Sequence, residues 1–390
     1  MIPFEQAFAI VMNTARTLEA EPVDLREALG RILAEDVYSD MDMPPFDKSA
    51  MDGYACRRVD LASDLTVIET VQAGTAPSLT VGKGQCSKIM TGAQVPPGAD
   101  CVIMVEHTEQ TATGQIRFTG ANTRDNLCRK GEDVRKGDRV LRKGQRLGAQ
   151  HIAVLASVGC TVARVSQQPR VGVIATGDEL VEPGEPLGPV QIRTSNSYQL
   201  FSHVQSAGCV PTYYGIARDT EAAIDELMKR AIAENDVVIL SGGVSMGDFD
   251  LVPGVMQKNN IRILFDSIAM KPGKPTTFGV SPDVYCFGLP GNPVSTFIQF
   301  ELLIKPFLFR LMGHEFRPPH SVLPLAGPVK SKRADREMWL PVVITQDGVQ
   351  PIEYHGSAHV NALCEADGLI VVPAGVTVLE KGTLVRVRPI

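Results

Sequence analysis

The spacing of hydrophobic residues changes along the chain, and its first part predicts helices. Apolar residues between positions 4 and 15 recur at the intervals of an amphipathic helix. A second apolar set, in residues 25–33, follows Asp24, and Glu27 stands where a capping box requires it. The sequence therefore predicts that two amphipathic helices open the chain.

A different pattern follows, in which Gly and Pro separate short β-rich runs from about residue 45 to residue 140. Helical spacing returns in residues 152–156. We therefore predict a β-rich insertion domain of residues 45–140. It would interrupt a discontinuous helical linker domain made of residues 1–44 and 141–169.

Beyond the linker domain, short apolar runs alternate with helical stripes. The predicted helix from Thr220 carries apolar residues at the spacing of a helix that faces a sheet. The alternation predicts a doubly wound α/β domain of residues 170–314. The pattern then reverts to strands, with Asp347 and Gly348 in a predicted tight hairpin, so we expect a small C-terminal β-barrel of residues 315–390. The predicted fold class is multidomain, α/β and β.

Composition and charge narrow the possible ligands. The 390 residues are 44% hydrophobic and 21% charged, as in ordinary globular proteins. The net charge of -6 and the absence of a Lys/Arg-rich tract argue against a nucleic-acid partner. An anionic ligand would therefore have to be held by locally placed cations.

The cysteines and the apolar runs indicate the compartment. The 8 cysteines include no C-x-x-C pair and are expected to be reduced thiols. The N-terminus does not resemble a signal peptide, and no apolar run is long enough for a membrane span. We expect a cytoplasmic protein without a membrane partner.

Three glycine-containing loops follow predicted strands of the α/β domain, in residues 176–179, 241–250 and 289–293. Parallel sheets bind ligands beyond the carboxyl ends of their strands, and glycine lets backbone N–H groups approach a phosphate. A turn requirement is the alternative explanation for each single loop. Together they predict a site for a phosphorylated ligand, with these candidate binding residues: Gly177, Asp178, Ser241, Gly242, Gly243, Ser245, Gly291 and Asn292.

Acidic residues occur in two of these loops. They are Asp178, Glu179, Asp248 and Asp250. Clustered carboxylates beside phosphates indicate Mg²⁺, which takes one or two carboxylates together with phosphate and water oxygens. Helix N-capping is the alternative, and it remains open for Asp250, which precedes Leu251.

Two lysines flank a glycine in residues 271–275, a loop that prolines stiffen. A rigid pair of cations suits an oxyanion, whereas solvated surface lysines are the ordinary alternative. We therefore expect Lys271 and Lys274 to bind an oxyanion.

Seven motifs, in the same order along nearly the whole chain, resemble those of molybdopterin molybdenumtransferases, the family of MoeA and the gephyrin E-domain. The Gly-Gly loop alone is shared with related molybdopterin-binding domains. The motifs are Met51-Asp52-Gly53-Tyr54-Ala55, Met90-Thr91-Gly92-Ala93, Gly131-Glu132-Asp133, Thr176-Gly177-Asp178-Glu179-Leu180, Ser241-Gly242-Gly243-Val244-Ser245, Lys271-Pro272-Gly273-Lys274-Pro275 and Leu289-Pro290-Gly291-Asn292-Pro293-Val294-Ser295.

The resemblance implies an elongated four-part subunit and a homodimer whose active site lies between the α/β domain of one subunit and the β-rich domain of the other. From the β-rich side it implies Asp52, Thr91 and Asp133. From the α/β side it implies Glu179, Asp219, Asp250, Lys271, Lys274, Pro290, Pro293 and Ser295. Of these, Asp52, Thr91, Asp133, Glu179 and Asp219 would be catalytic, and Glu179, Asp219 and Asp250 would bind metal.

The family reaction converts adenylylated molybdopterin and molybdate to molybdenum cofactor and AMP with Mg²⁺. A molybdopterin adenylyltransferase would act upstream, and apo-molybdoenzymes or carriers would receive the product. Molybdate is a dianion, which suits Lys271, Lys274 and the backbone near Ser295. Mg²⁺ could polarise the pyrophosphate, and Glu179 could orient the attacking water.

Two departures and two alternatives qualify the resemblance. Relatives often have Arg where Cys128 stands, and Arg129 or Lys130 could replace it. Arg336 and Ser357 fall near positions that relatives use at the molybdate entrance.

Two alternative functions remain. The first is adenylylation of molybdopterin by ATP, which uses the same type of α/β domain. The second is a noncatalytic scaffold of this fold.

Overall fold

The computed structural model describes residues 1–244, 251–331, 334–352 and 356–390. Its helices include α1 (Phe4–Thr14), α2 (Ala149–Ser157), α3 (Asn196–Ser206), α4 (Glu221–Glu234), α5 (Val252–Lys258), α6 (Pro293–Gln299), a π-helical segment (Phe300–Ile304) and α7 (Lys305–Leu311). Within the described ranges, no helix combines the length and the hydropathy needed to cross a membrane.

The first part of the chain is rich in short strands. These are β1 (Ala20–Asp24), β2 (Val37–Tyr38), β3 (Lys48–Ser49), β4 (Gly53–Cys56), β5 (Thr66–Val71), β6 (Gln85–Ile89), β7 (Cys101–Met104), β8 (Thr108–Gln110), β9 (Ile116–Phe118), β10 (Leu127–Cys128), β11 (Arg139–Leu141) and β12 (Val162–Ser166). Four of them form a sheet in the order β5-β6-β4-β7, with buried residues such as Cys56, Ile89 and Ile103 on its two faces.

The prediction of a second helix, in residues 25–33, is wrong. Only a 3-10 turn forms, over Leu25–Glu27, and Asp24 caps it by accepting a hydrogen bond from the N–H of Arg26 (2.9 Å). The chain leaves the turn through Gly30 at φ 80°, and Leu33 then bridges to Val165. Gly30 is in the left-handed conformation, which ends a helix. Pairing with distant parts of the chain then outweighs the local helical pattern.

The α/β part contains β13 (Arg170–Thr176), β14 (Leu180–Val181), β15 (Ile192–Arg193), β16 (Val210–Ala217), β17 (Val237–Ser241), β18 (Arg262–Phe265), β19 (Met270–Lys271), β20 (Thr277–Val280) and β21 (Tyr285–Leu289). Its sheet has the order β16-β13-β17-β21-β20-β18. The first four strands are parallel, and the last two pair in antiparallel fashion, an arrangement that the sequence did not predict.

Helices cover both faces of this sheet. Val173 packs with Leu200 of α3 and with the α6–π–α7 region, whereas Ile174 packs with Met228 of α4 and Val255 of α5. Alternation along β13 thus sends successive side chains into two cores. The doubly wound α/β prediction is confirmed.

A long apolar helical stretch closes the α/β part from Pro293 to Leu311, and its middle is π-helical over Phe300–Ile304. Glu301 in this segment is 4% exposed, and both of its carboxylate oxygens accept from Lys305 at 3.0 Å. Arg388 donates from the C-terminal part to the carbonyl of Glu301. A buried charge cluster therefore joins the two parts.

The C-terminal strands are β22 (Ser321–Pro324), β23 (Val329–Lys330), β24 (Glu337–Thr345), β25 (Gly348–Pro351), β26 (Gly368–Val372), β27 (Val378–Leu379) and β28 (Leu384–Pro389). The predicted hairpin is confirmed, because Thr345 pairs with Gly348. The sheet has the order β19-β24-β26-β28-β22, so Met270 and Lys271 add a strand to it from the α/β part of the chain.

Candidate active site

The predicted glycine loops line one cavity of about 540 Å³, the loop cavity, where β13, β17 and β21 end. These strands are parallel neighbours, so their carboxyl ends meet at one edge. The predicted residues in its wall are Gly177, Glu179, Asp219, Ser241, Gly242, Gly243, Gly291, Asn292 and Pro293. Ser245, Asp248 and Asp250 lie outside the described residues.

Close packing explains the glycine at position 242. Gly242 has φ 103°, and a Cβ placed on it would lie 2.4 Å from the carbonyl oxygen of Thr176. Only glycine combines this backbone conformation with this contact. The loops after β13 and β17 are therefore in direct backbone contact.

Asn196, which the sequence analysis missed, holds two of the loops together. Its Nδ2 donates to Oγ of Ser241 and to the carbonyl oxygen of Gly291, both at 2.8 Å. Asn196 is only 9% exposed, at the start of α3. Buried amides need partners, but the sequence around Asn196 does not show which atoms it reaches.

The acidic residues of the loop cavity come from the segments after β13 and β16. Glu179 and Asp219 both line the wall. Asp178 does not line its described part, but the Asp178 carboxylate accepts from the N–H of Asp219, and the Asp219 carboxylate accepts from the N–H of Asp178, both at 3.2 Å. The two segments are thereby fixed to each other.

The donor set of the loop cavity fits a hard cation. Glu179 and Asp219 provide carboxylate oxygens, and Mg²⁺ needs only one or two of these when phosphate and water supply the rest. The described ranges contain no cluster of three or more His, Cys, Asp or Glu side chains suited to an all-protein metal site. Mg²⁺ would therefore need a ligand's phosphate to complete its shell.

A second cavity of about 710 Å³, the lysine cavity, shares Asn292 with the loop cavity. The predicted residues in its wall are Lys271, Lys274, Pro290, Asn292, Ser295, Arg336 and Ser357. Lys330, which was not predicted, adds another cation. The described wall contains four cations and no Asp or Glu, which favours an anion. One of the cations, Arg336, also lies 3.3 Å from Asp335, which is outside the wall.

Gln299 holds the loop of residues 271–275, the lysine loop, by a hydrogen bond. Its Nε2 donates to the carbonyl oxygen of Gly273 (2.9 Å), and Gln299 is fully buried in α6. Gly273 has φ 103°, and a Cβ there would lie 2.4 Å from the same Nε2. The two lysines are thus carried by a loop held at its centre.

The β-rich part brings two of its predicted residues together. Oδ1 of Asp52 accepts from the N–H (2.7 Å) and the hydroxyl (2.8 Å) of Thr91, which lowers the pKa of the Asp52 carboxyl. Asp133 is exposed, and its N–H donates to the carbonyl oxygen of Met43. None of the three lines the described wall of either cavity.

Arg129 and Lys130 could replace the arginine that relatives often have at the position of Cys128, but nearby carboxylates already pair with both. Arg129 contacts Asp47 at 3.0 Å, and Nζ of Lys130 lies 3.5 Å from Asp42. Both pairs are solvent-exposed and therefore weak.

A doubly wound domain with a glycine-loop cavity beside a cationic cavity defines a protein suited to phosphorylated and oxyanionic ligands. Comparison with known families gives three matches along the chain. The MoeA N-terminal region (domain I and II) matches residues 2–159, a probable molybdopterin binding domain matches 172–310, and the MoeA C-terminal region (domain IV) matches 322–390.

Individual relatives match over almost their whole length. The chain is 35% identical to the molybdopterin molybdenumtransferase of Staphylococcus epidermidis, covering 99% of this chain and 95% of that protein. The Bacillus subtilis molybdopterin molybdenumtransferase is also 35% identical, with 99% and 93% covered. The chain belongs to the molybdopterin molybdenumtransferase (MoeA) family.

Solved structures of MoeA proteins have the same fold. A molybdopterin biosynthesis MoeA protein from Pyrococcus horikoshii superimposes with a TM-score of 0.84 and 36% identity, covering 100% of this chain and 99% of that one. A second structure of a MoeA protein from that organism gives a TM-score of 0.88 at 31% identity, with both chains fully covered. The predicted family and fold class are confirmed.

Proposed function

We propose that the protein is a molybdopterin molybdenumtransferase, which takes adenylylated molybdopterin and molybdate to molybdenum cofactor and AMP. The observation that carries this proposal is the pair of cavities that meet at Asn292. The loop cavity has glycine loops of the kind that bind phosphate, together with carboxylates. The charged residues described in the wall of the lysine cavity are all cations. A phosphorylated pterin and an oxyanion can therefore be held side by side.

The lysine cavity would hold molybdate. Lys271, Lys274 and Arg336 would supply charge-assisted hydrogen bonds, and Ser295 and Ser357 would add hydroxyl donors. Pro290 and Pro293, at either end of the Asn292 turn, would shape the boundary with the loop cavity. Fixed donors around a small dianion act without reorganisation, which is favourable for catalysis.

The loop cavity would hold the pyrophosphate of the adenylylated pterin. Gly177, Gly242, Gly243 and Gly291 allow close backbone approach, and Ser241 contributes a hydroxyl. Asp178 would act indirectly, by fixing Asp219. Glu179 would orient the attacking water.

Mg²⁺ would be held by Glu179 and Asp219. When bound, it supplies positive charge that offsets the pyrophosphate and polarises it for cleavage. Asp250 would also bind the metal, and Ser245 would contact the substrate.

The active site would be completed by a second subunit. Asp52, Thr91 and Asp133 carry the family's motifs, yet they do not line the described walls of their own subunit's cavities. A homodimer in which the β-rich part of one subunit covers the cavities of the other would bring both sets together.

We place the reaction in the cytoplasm, since all of the cysteines are free, as in reducing compartments. An adenylyltransferase must supply the substrate, and apo-molybdoenzymes or carriers must consume the product.

The test is AMP release from adenylylated molybdopterin with and without molybdate and Mg²⁺. We expect release that requires both. Consumption of ATP with molybdopterin would instead indicate the adenylyltransferase alternative, which the matched N- and C-terminal regions do not favour. Loss of AMP release in Asp219→Ala would exclude the noncatalytic scaffold.

A further inference from the structure

Arg193 is a cation at the loop cavity to which the sequence analysis gave no role. It ends β15, is exposed, and lines the wall together with Glu179 and Asp219. No other Lys or Arg belongs to the described wall. The positive charge of this cavity therefore comes chiefly from one side chain.

The Arg193 backbone is fixed, although its side chain reaches solvent. Arg193 pairs with Val181 in the short β14–β15 ladder, and the N–H of Thr194 donates to the carbonyl oxygen of Val181 (2.9 Å). The preceding residue, Ile192, donates to the carbonyl oxygen of Glu179 (2.8 Å). Arg193 is thus attached to the segment that carries the predicted water-orienting carboxylate.

The Arg193 guanidinium is available to a ligand. Arg117, for comparison, pairs with Asp64 at 2.7 Å, but no described residue hydrogen-bonds or ion-pairs with the Arg193 side chain. A guanidinium in this state beside glycine loops can bind a phosphate in bidentate fashion without first breaking an ion pair.

Two buried polar atoms in the same wall also lack partners. Oγ1 of Thr176 and Oδ1 of Asn196 make no hydrogen bond within the described part of the chain, and the two residues are 3% and 9% exposed. Buried polar atoms are ordinarily satisfied, so a polar ligand or water is expected at this wall.

We propose that Arg193 binds the phosphate of the adenylyl half of the substrate and remains bound to that phosphate in AMP. The inference rests on the proposed function and adds a residue that selects the adenylylated pterin over the pterin monophosphate. Mg²⁺ at Glu179 and Asp219 would contact the same pyrophosphate from the acidic side of the cavity.

The test is the binding of AMP and of adenosine, measured by calorimetry with Mg²⁺ at fixed ionic strength. The parent should prefer AMP. In Arg193→Ala the affinity for AMP should fall about tenfold, as expected for a lost charged hydrogen bond, while that for adenosine stays unchanged. Arg193→Lys should retain part of the affinity, because it keeps the charge but loses the fork.

The matched control is Arg262→Ala, an exposed arginine on the edge strand β18, outside the described walls of both cavities. It should bind AMP as the parent does. Parent-like AMP binding by Arg193→Ala would overturn the proposal, as would equal losses for AMP and adenosine or a parent without preference for AMP. These binding results do not require turnover, so they separate this inference from molybdate-dependent AMP release, which tests the proposed function.

Discussion

At the scale of single residues, the lysine loop provides the most direct test of the oxyanion site. Lys274→Ala or Lys271→Ala should raise the molybdate concentration for half-maximal turnover roughly ten- to a hundredfold, because a hydrogen bond to a charged group contributes about 1.5–3 kcal/mol. High molybdate should restore the maximal rate. The control is Lys381→Ala, an exposed lysine outside the described cavity walls. Parent-like molybdate titrations of both variants would place the site elsewhere.

The burial of His203 predicts that the stability of the fold depends on pH. Burial lowers its pKa to about 4, Lys305 adds to this shift, and Glu301 opposes it. The folded state therefore resists protonation, whereas the unfolded state takes up a proton near the ordinary histidine pKa of 6.5. Stability attributable to His203 should be constant above pH 6.5 and fall as the pH drops toward 4, by up to about 3 kcal/mol.

The measurement is urea unfolding from pH 7 to pH 4 for the parent and for His203→Phe, which keeps an aromatic ring beside Phe300 (4.7 Å between ring centroids). The variant should lose less stability over this range. Identical pH dependence in the two proteins would contradict the assignment.

Most of the predicted residues that line the two cavities could be found from the sequence, because they stand in glycine and proline motifs after strands. Asn196 and Gln299 could not, because their role is to hold the loops, and only the fold shows which carbonyl oxygens they reach. Lys330 was missed for a similar reason: its strand, β23, carries no motif, and only the fold brings this strand to the wall that contains the other lysines.

At the scale of elements, the contact between glycine loops predicts a steric effect. Gly242→Ala would place a Cβ 2.4 Å from the carbonyl oxygen of Thr176 at φ 103°. We expect a loss of about 1–3 kcal/mol in stability, from backbone strain, and weaker AMP binding. Gly254→Ala is the control, since α5 leaves its Cβ free of contacts within 4 Å. Equal stability and AMP binding in both variants would contradict the close contact.

The buried charge cluster between the π-helical segment and β28 predicts a stability difference. Glu301→Ala would leave Lys305 and Arg388 without their shared carboxylate and should cost about 3–5 kcal/mol. Glu315→Ala removes an exposed partner of Arg317 and should cost less than about 1 kcal/mol. Urea unfolding can be followed by the single tryptophan, Trp339. Similar midpoints for the two variants would show that the cluster contributes little.

Elements were predicted well where periodicity and burial agree, as in the helix from Thr220, whose apolar stripe meets the sheet. They were predicted poorly where distant pairing decides the structure. Residues 25–33 have helical spacing but pair with remote strands, and β20 reverses direction without any signal in its own residues. The π-helical segment has the same apolar composition as its helical neighbours.

At the scale of the whole molecule, we predict an active site that is shared between subunits. Asp52→Ala and Asp219→Ala should each be inactive, because each removes one side of the site. Mixing the two should recover part of the activity once subunits exchange, since one site of each mixed dimer is intact. A lack of recovery after exchange has been confirmed by mass spectrometry would contradict the shared site.

The central proposal is that molybdenum enters the pterin while AMP leaves. The most direct measurement is the molybdenum content of the pterin recovered after reaction, compared with the AMP released in the same sample. We predict equimolar molybdenum and AMP, and neither in the absence of molybdate. AMP release that leaves the pterin without molybdenum, or molybdenum insertion that proceeds equally without the protein, would contradict it.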